Sequence, residues 1–399
     1  MFTKMLIQKI MIVKFLRVFG SSLMSIILPI FLLSEGYNAI FIGIIVSLMI
    51  ISNIPFNIVL TLVIKRLGRR LMLVLLSSLM IISALLFLWD INTVVIIIAA
   101  LIGLLSAKGT ETGPFQSIEQ ALLSESVESD KRTNIFSVYN LVGYSSMALG
   151  TFFSGLPDYL LNIGLTLSFG FIVYAIIGLI QMIIYLSFKN LDDMFDKTDK
   201  MILHSQTRKM VLKLSSLFSI DAFGGGFIVQ TLLATWFFLR FNTDLASLSI
   251  IFSIANVITA ISIVLAPVLA KRIGLLKTMV ITHIPSNIFL ILVPFAPSLL
   301  YAAIFLFLRQ SISQMDVPTR QSYVNAIIQP EDRASTAAIT NTVRTLSSSI
   351  SPPIATSLID LGNFVLPFVF GGSIKIVYDV AVYFTFRKIK PPEEKERKG

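Results

Sequence analysis

The 399-residue chain has no cysteine, only two histidines and little charge, with 14% of its residues charged. The missing cysteine excludes a disulfide framework, thiolate metal sites and a cysteine nucleophile, and says nothing of redox compartment. The shortage of charge excludes more. A soluble domain carries about 25% charged residues, whereas this chain is 55% hydrophobic with a mean hydropathy of +0.85. A soluble enzyme is therefore ruled out. No phosphate-binding glycine loop, HExxH pair or GxSxG elbow is present, so ATP-driven pumping, zinc hydrolysis and serine hydrolysis have no support. No cofactor or metal is expected.

What the chain does have is a series of apolar runs longer than the ~18 residues at which a stretch reads as a membrane span. Breaks at charged or turn-rich positions place spans at roughly 10–33, 39–64, 71–89, 93–121, 135–157 and 163–188. A second set follows at roughly 211–238, 245–270, 278–297, 299–327, 335–359 and 363–387. The amino-terminal run continues past the length of a signal peptide's apolar core and is read as an uncleaved first helix. One polar stretch, residues 189–210, divides the chain. The expected organisation is a bundle over 1–188, a linker over 189–210, a second bundle over 211–387 and a tail over 388–399.

The net charge is +10, which in a soluble chain would suggest nucleic acid. Here it sorts by side. Lys4, Lys9, Lys65, Arg66, Arg69, Arg70, Lys131, Arg132, Lys271, Arg272, Lys277, Arg333 and the carboxy-terminal bases fall in alternate loops, while Glu35, Asp90, Asp158, Asp244 and Asp360 occupy the others. The positive-inside rule makes both termini and the linker cytoplasmic. No nucleic-acid partner follows; membrane lipid does.

The two sets also repeat. Arg17-Val18-Phe19-Gly20 corresponds to Asp221-Ala222-Phe223-Gly224, and Lys65-Arg66-Leu67-Gly68 to Lys271-Arg272-Ile273-Gly274. Lys108, Gln120, Asp130, Arg132, Asn140 and Val142 meet Arg309, Gln321, Glu331, Arg333, Asn341 and Val343. A duplicated six-helix unit is an architecture in which secondary transporters hold a site between two halves.

On these residues the chain resembles the major facilitator superfamily over essentially its whole length. Arg66, Gly68, Arg69 and Arg70 look like the end of that family's loop signature Gly-x-x-x-Asp-Arg-x-Gly-Arg-Arg, and Pro330-Glu331-Asp332-Arg333-Ala334 resembles its other loop signature. Thr61 stands in place of the first glycine and Lys65 in place of the aspartate, so the charge network that the aspartate serves must be built differently. Gly143, Gly150 and Gly155 only hint at the family's antiporter signature, and Pro352-Pro353 breaks the corresponding span. The resemblance implies an all-α polytopic membrane protein with twelve transmembrane helices in two pseudo-symmetric six-helix bundles.

Function is sought among the charges inside the spans, because each unpaired one costs at least ~2.5–3.5 kcal/mol and so needs a partner or a wet cavity. Lys108, Glu111, Phe115 and Glu119 fall on one face of a helical fourth span, and Arg309, Ser313, Asp316 and Arg320 on one face of the tenth. Arg17 and Asp221 occupy equivalent positions with opposite charge and would pair across the halves or form a structural bridge; Asp221 is also a candidate proton carrier. Arg17, Lys108, Glu111, Asp221, Arg309 and Asp316 are the candidate cavity residues. Lys65, Arg66, Gly68, Arg69, Arg70, Glu119, Lys271, Arg272, Arg320 and Arg344 are the candidate cytoplasmic gate. Lys375 and Asp379 read as a self-neutralising pair in the last span, His283 as a packed or capping residue, His204 as solvated linker and Trp236 as an interfacial anchor. Gly224-Gly225-Gly226 either brings helices close or bends the seventh span.

The expected function is secondary transport of a small molecule by alternating access in the cell membrane, leaning toward proton-coupled efflux and acting as a monomer. A symporter or uniporter for an anionic metabolite is the alternative, since several intramembrane bases suit a negative substrate. A non-transporting sensor or a lipid-acting enzyme is the competing class.

Overall fold

The computed structural model describes residues 2–110, 113–128, 132–160, 164–188 and 204–389. Among these, the elements are α1 (Phe2–Ser34), α2 (Ala39–Ile51), α3 (Asn53–Trp89), α4 (Thr93–Ile102), α5 (Pro114–Ser126), α6 (Arg132–Phe153), α7 (Leu156–Tyr159), α8 (Phe169–Leu186), α9 (Ser205–Gly226), α10 (Gln230–Phe241), α11 (Leu245–Ile273), α12 (Leu275–Leu292), α13 (Leu299–Ser313), α14 (Asp316–Ile327), α15 (Arg333–Asp360) and α16 (Leu366–Phe386). No strand occurs among the described residues. The protein is an all-α polytopic membrane protein, and among the described residues eight helical spans are long and apolar enough to cross a bilayer.

Leu62, Val264 and Leu300 are each about two-thirds or more exposed, while Arg17, Glu119, Asp221 and Asp379 are buried. An apolar exterior around a polar interior is the arrangement that a hydrocarbon solvent selects.

The repeated Lys-Arg-apolar-Gly motif has a backbone cause. Gly68, inside α3, has φ 78°, ψ 160°, and Gly274, between α11 and α12, has φ 93°, ψ 158°. Both lie where L side chains rarely go, so at each site one glycine turns one helical stretch into the next. The loop expected at 65–70 is thus reduced to one residue.

Several expected continuous spans are broken. The fourth stops at Ile102 and resumes at Pro114, because Leu104, Gly109 and Gly113 take φ of 51°, 69° and 126°, which no α-helix accommodates. In the seventh, α9 ends at Gly226 and α10 starts at Gln230. The tenth separates at Gln314-Met315, and Pro318 then sits in the first turn of α14, where its missing N–H is not needed.

The chain forms two compact units, one of residues 1–197 and 229–253, the other of 198–228 and 254–399. They differ from the division read from the sequence in that Val229–Ser253 belongs with the first unit. Within it, the Thr231 N–H and hydroxyl both donate to the Ala107 carbonyl at 3.1 Å, the Gln230 amide donates to Ser25 Oγ at 2.8 Å, and the Ala246 N–H donates to Asp158 at 3.0 Å. Trp236, expected as an interfacial anchor, is 1% exposed and packs edge-on against Phe237 and Phe241. It is core.

In each unit helices come close enough for a serine to reach a neighbouring backbone. Ser146 on α6 donates to the Phe15 carbonyl of α1 at 2.6 Å, and Ser351 on α15 donates to the Phe223 carbonyl of α9 at 2.6 Å. Glycine permits both approaches. A Cβ on Gly150 would stand 2.2 Å from Phe19 O, and one on Gly226 would stand 2.1 Å from Ser351 Oγ. The triple glycine therefore brings helices close and also precedes the break in the seventh span.

Candidate functional site

Each unit holds a buried network of charges. In the first, α1 places Arg17 so that Nη2 lies 2.6 Å from Glu119 Oε2 on α5, while Nη1 donates to Gln181 Oε1 at 3.0 Å and to the Tyr185 hydroxyl at 2.8 Å on α8. Glu119 also accepts from Tyr139 at 2.8 Å and from Tyr185 at 2.7 Å. The guanidinium lies over the Phe115 ring, 4.4 Å from its centroid, and Lys14 Nζ lies 4.3 Å from that of Tyr139. The Glu119 carboxylate thus receives three donors from three helices, all shielded from solvent, where each hydrogen bond is stronger than in water.

In the second unit the signs are exchanged. Asp221 on α9 takes Lys375 Nζ of α16 on Oδ1 at 2.5 Å, and Arg320 of α14 and Arg344 of α15 on Oδ2 at 3.1 and 2.9 Å. Arg320 also pairs with Asp316, one turn earlier, at 2.9 Å. Three bases therefore meet two carboxylates. One turn beyond Lys375, Asp379 holds His283 Nδ1 of α12 at 2.7 Å and accepts from the Asn287 amide at 3.4 Å.

These contacts rearrange the expected pairings. Arg17 and Asp221 were expected to face each other; each is instead satisfied inside its own unit, Arg17 by Glu119 and Asp221 by three bases. The repeat conserves the geometry of a buried pair between its first and fourth spans while exchanging which helix carries the cation. Lys375 and Asp379 do not neutralise each other: one goes to Asp221, the other to His283. Glu119, Arg320 and Arg344, expected with the basic loops, lie in these buried networks. His283 is packed, as expected, but on a carboxylate.

Of the remaining candidates, Arg309 is 7% exposed, donates from Nη1 to Gln310 at 2.5 Å and keeps a buried Nε without a partner. Lys108 is exposed in the non-helical stretch 103–110, so it does not share a helical face with Glu119. Glu111 lies outside the described residues, as does the side chain of Lys65. Arg69 makes a two-pronged ion pair with Glu125, at 2.5 and 2.7 Å. Glu125 thus supplies a carboxylate to the basic loop whose usual aspartate is replaced by Lys65. Arg66, Arg70, Lys271 and Arg272 are exposed. His204 is half-exposed and pairs with the buried Asp332 at 2.9 Å, which also accepts from the Thr207 hydroxyl. Those donors, Thr207 first, hold the Asp332 carboxyl below its ordinary range.

Sequence reading missed Gln181, Tyr185, Tyr139, Glu125 and the Asp379–His283 contact. Gln181 and Tyr185, an amide and a phenol one turn apart in the predominantly apolar α8, were a usable signal. Tyr139 and Glu125 gave none.

The family model described as Major Facilitator Superfamily matches residues 10–308 and 214–399. An uncharacterized membrane protein of Saccharomyces cerevisiae is 26% identical over 93% of this chain and 92% of its own length. Among solved structures, a variant of the nucleoside transporter NupG is 13% identical with a TM-score of 0.78, covering 96% of this chain and 100% of that one. A bacterial homologue of the human lysosomal transporter Spinster, inward-facing and unoccupied, is 12% identical with a TM-score of 0.74, covering 98% and 99%. At such identities the structures speak for the fold, and the family model for the membership. The chain belongs to the Major Facilitator Superfamily, a family of membrane transporters.

Proposed function

We propose that the protein is a secondary active transporter working by alternating access, with the Asp221 network as its coupling site and proton-coupled efflux as its mode. One observation carries this reading: a single buried carboxylate holds three bases from three different helices, α14, α15 and α16. Protonating Asp221 would remove the counter-charge from Lys375 and Arg344 at once and from half of the contacts of Arg320. Bases this close hold Asp221 ionised, so the proton would be taken up as they withdraw and released as they return; such an element acts on several helices, which is what coupling requires. The Arg17–Glu119 network, closed by two phenols and an amide, suits a fixed strut.

The same site supports a second reading. Three bases meet only two carboxylates, so an anionic substrate would complete the charge balance, which favours a symporter or uniporter for an anionic metabolite. The similarity of the fold to the nucleoside transporter NupG adds nucleosides as a class to include in a screen.

Proteoliposome flux of a candidate panel, with and without an imposed pH gradient, tests the proposal. Uphill accumulation driven by the gradient is expected of the native protein. Asp221→Asn is expected to lose that accumulation at least tenfold while retaining downhill counterflow. Undiminished proton-driven accumulation in that variant would remove Asp221 from the coupling mechanism, and no flux of any substrate would sink the transporter reading itself.

A further inference from the structure

Within the second unit a cavity of about 480 Å³ opens where the end of α11, the start of α12, the middle of α14 and the first residue of α15 meet. We propose that it binds a phosphomonoester, either a soluble phosphorylated molecule or the headgroup of an anionic lipid.

The lining supports that chemistry. Lys271 enters from the last turn of α11 and Arg333 from the start of α15, while Ser322 and Asn325, one turn apart on α14, add a hydroxyl and an amide. Among the described residues no carboxylate lines the cavity. The carboxylate next to Arg333 in sequence, Asp332, is turned away and saturated by Thr207 and His204. An ammonium and a guanidinium from separate elements, with neutral donors between them, match a compact dianion. The volume lies within the range of small-molecule sites and far exceeds one phosphate group. Pro318 and Leu275 form an apolar wall for the remainder of the ligand. Sequence alone placed Lys271 in a gate; its position in a cavity with Arg333 adds a ligand-binding role. This site shares no residue with the Asp221 network, so the inference stands whatever the coupling ion or transported substrate.

The test uses the full-length protein and does not depend on flux. In neutral detergent at low salt, calorimetric titration with phenyl phosphate should show saturable binding, and phenol none. The paired substitutions Lys271→Gln and Arg333→Gln should weaken that binding at least fivefold. Arg272→Gln, an exposed base next to the cavity, should leave it unchanged, and Lys271→Arg should retain it. Asn325→Ala, an exposed helical position that perturbs no charge, should weaken it about twofold to threefold and serves if the paired variant folds poorly. In the lipid arm, native mass spectrometry of protein released from phosphatidylcholine nanodiscs containing phosphatidic acid should show retained phosphatidic acid that the paired variant loses. Binding in the soluble arm, the lipid arm or both supports the site and identifies its source. Absence of both in the native protein, or equal losses with Arg272→Gln, would overturn it.

Discussion

Glu119 and Asp221 show how differently two buried carboxylates can be employed. Glu119 balances one guanidinium and takes two phenol donors; Asp221 is outnumbered by bases. Removing one member of a buried pair leaves the other charge uncompensated and costs about 3–5 kcal/mol, whereas replacing both by apolar groups is often far cheaper. Glu119→Gln is therefore expected to lower thermal stability sharply in detergent, while Arg17→Met combined with Glu119→Met loses less than the sum of its single substitutions. Melting by fluorescence-detected size exclusion checks this; a double variant that loses the full sum would show that the two residues contribute independently. Arg17, Glu119, Asp221 and Arg320 were all legible in the sequence as charges inside apolar runs. Their pairing was not, because the repeat relates equivalent positions and says nothing of which helices touch.

The helices show the same division between what spacing reveals and what contact decides. The break after Gly226 falls within a run whose apolar character is nearly continuous, and only its glycines gave warning, whereas the break after Ile102 precedes Lys108, Thr110, Glu111 and Pro114, a polar stretch that was itself a signal; glycine in a membrane helix signals close packing as readily as a bend. Gly226 does both. Its missing side chain lets α9 approach α15 to the distance of the Ser351–Phe223 hydrogen bond. Gly226→Ala must therefore part the two helices and should cost about 1–3 kcal/mol, the usual toll of overpacking. The matching substitution at Gly225, where an added Cβ meets only the far end of Lys375 at 3.7 Å, should be nearly neutral; equal melting of the two variants would refute the packing argument. At the start of α9, Asp332 ties His204 and Thr207 to the turn before α15. Because its carboxyl is depressed in the folded protein, its contribution is fully present above the unfolded carboxylate pKa of about 3.9 and is lost as pH falls through the lower folded value. Asp332→Asn should thus destabilise the protein at neutral pH and flatten the acid limb of its stability profile. An unchanged acid limb would exclude this contact from the folding equilibrium.

At the scale of the molecule, the repeat was readable because duplication leaves motifs at nearly constant offsets, yet the compact units do not follow it throughout. Val229–Ser253 is encoded in the second repeat and packed in the first unit, an exchange that no offset could disclose because it depends on which backbone groups meet. Thr231 to Ala107, Gln230 to Ser25, Ala246 to Asp158 and Ser253 to the Ala148 carbonyl are its polar ties, and Trp236 and Phe237 supply a fully buried apolar anchor. A chain severed within residues 189–203 should therefore remain associated, since the second fragment inserts a segment of its own into the core of the first. Co-expression of the two fragments with an affinity tag on the first is expected to recover both in equal amounts from detergent extracts. Trp236→Ala combined with Gln230→Ala, which removes the anchor and one tie, should reduce recovery of the second fragment several-fold while leaving the unsevered chain in the membrane. If the tagged fragment is purified alone, the exchanged segment does not hold the unit together, and the motions that alternate access would need no breakage of these ties.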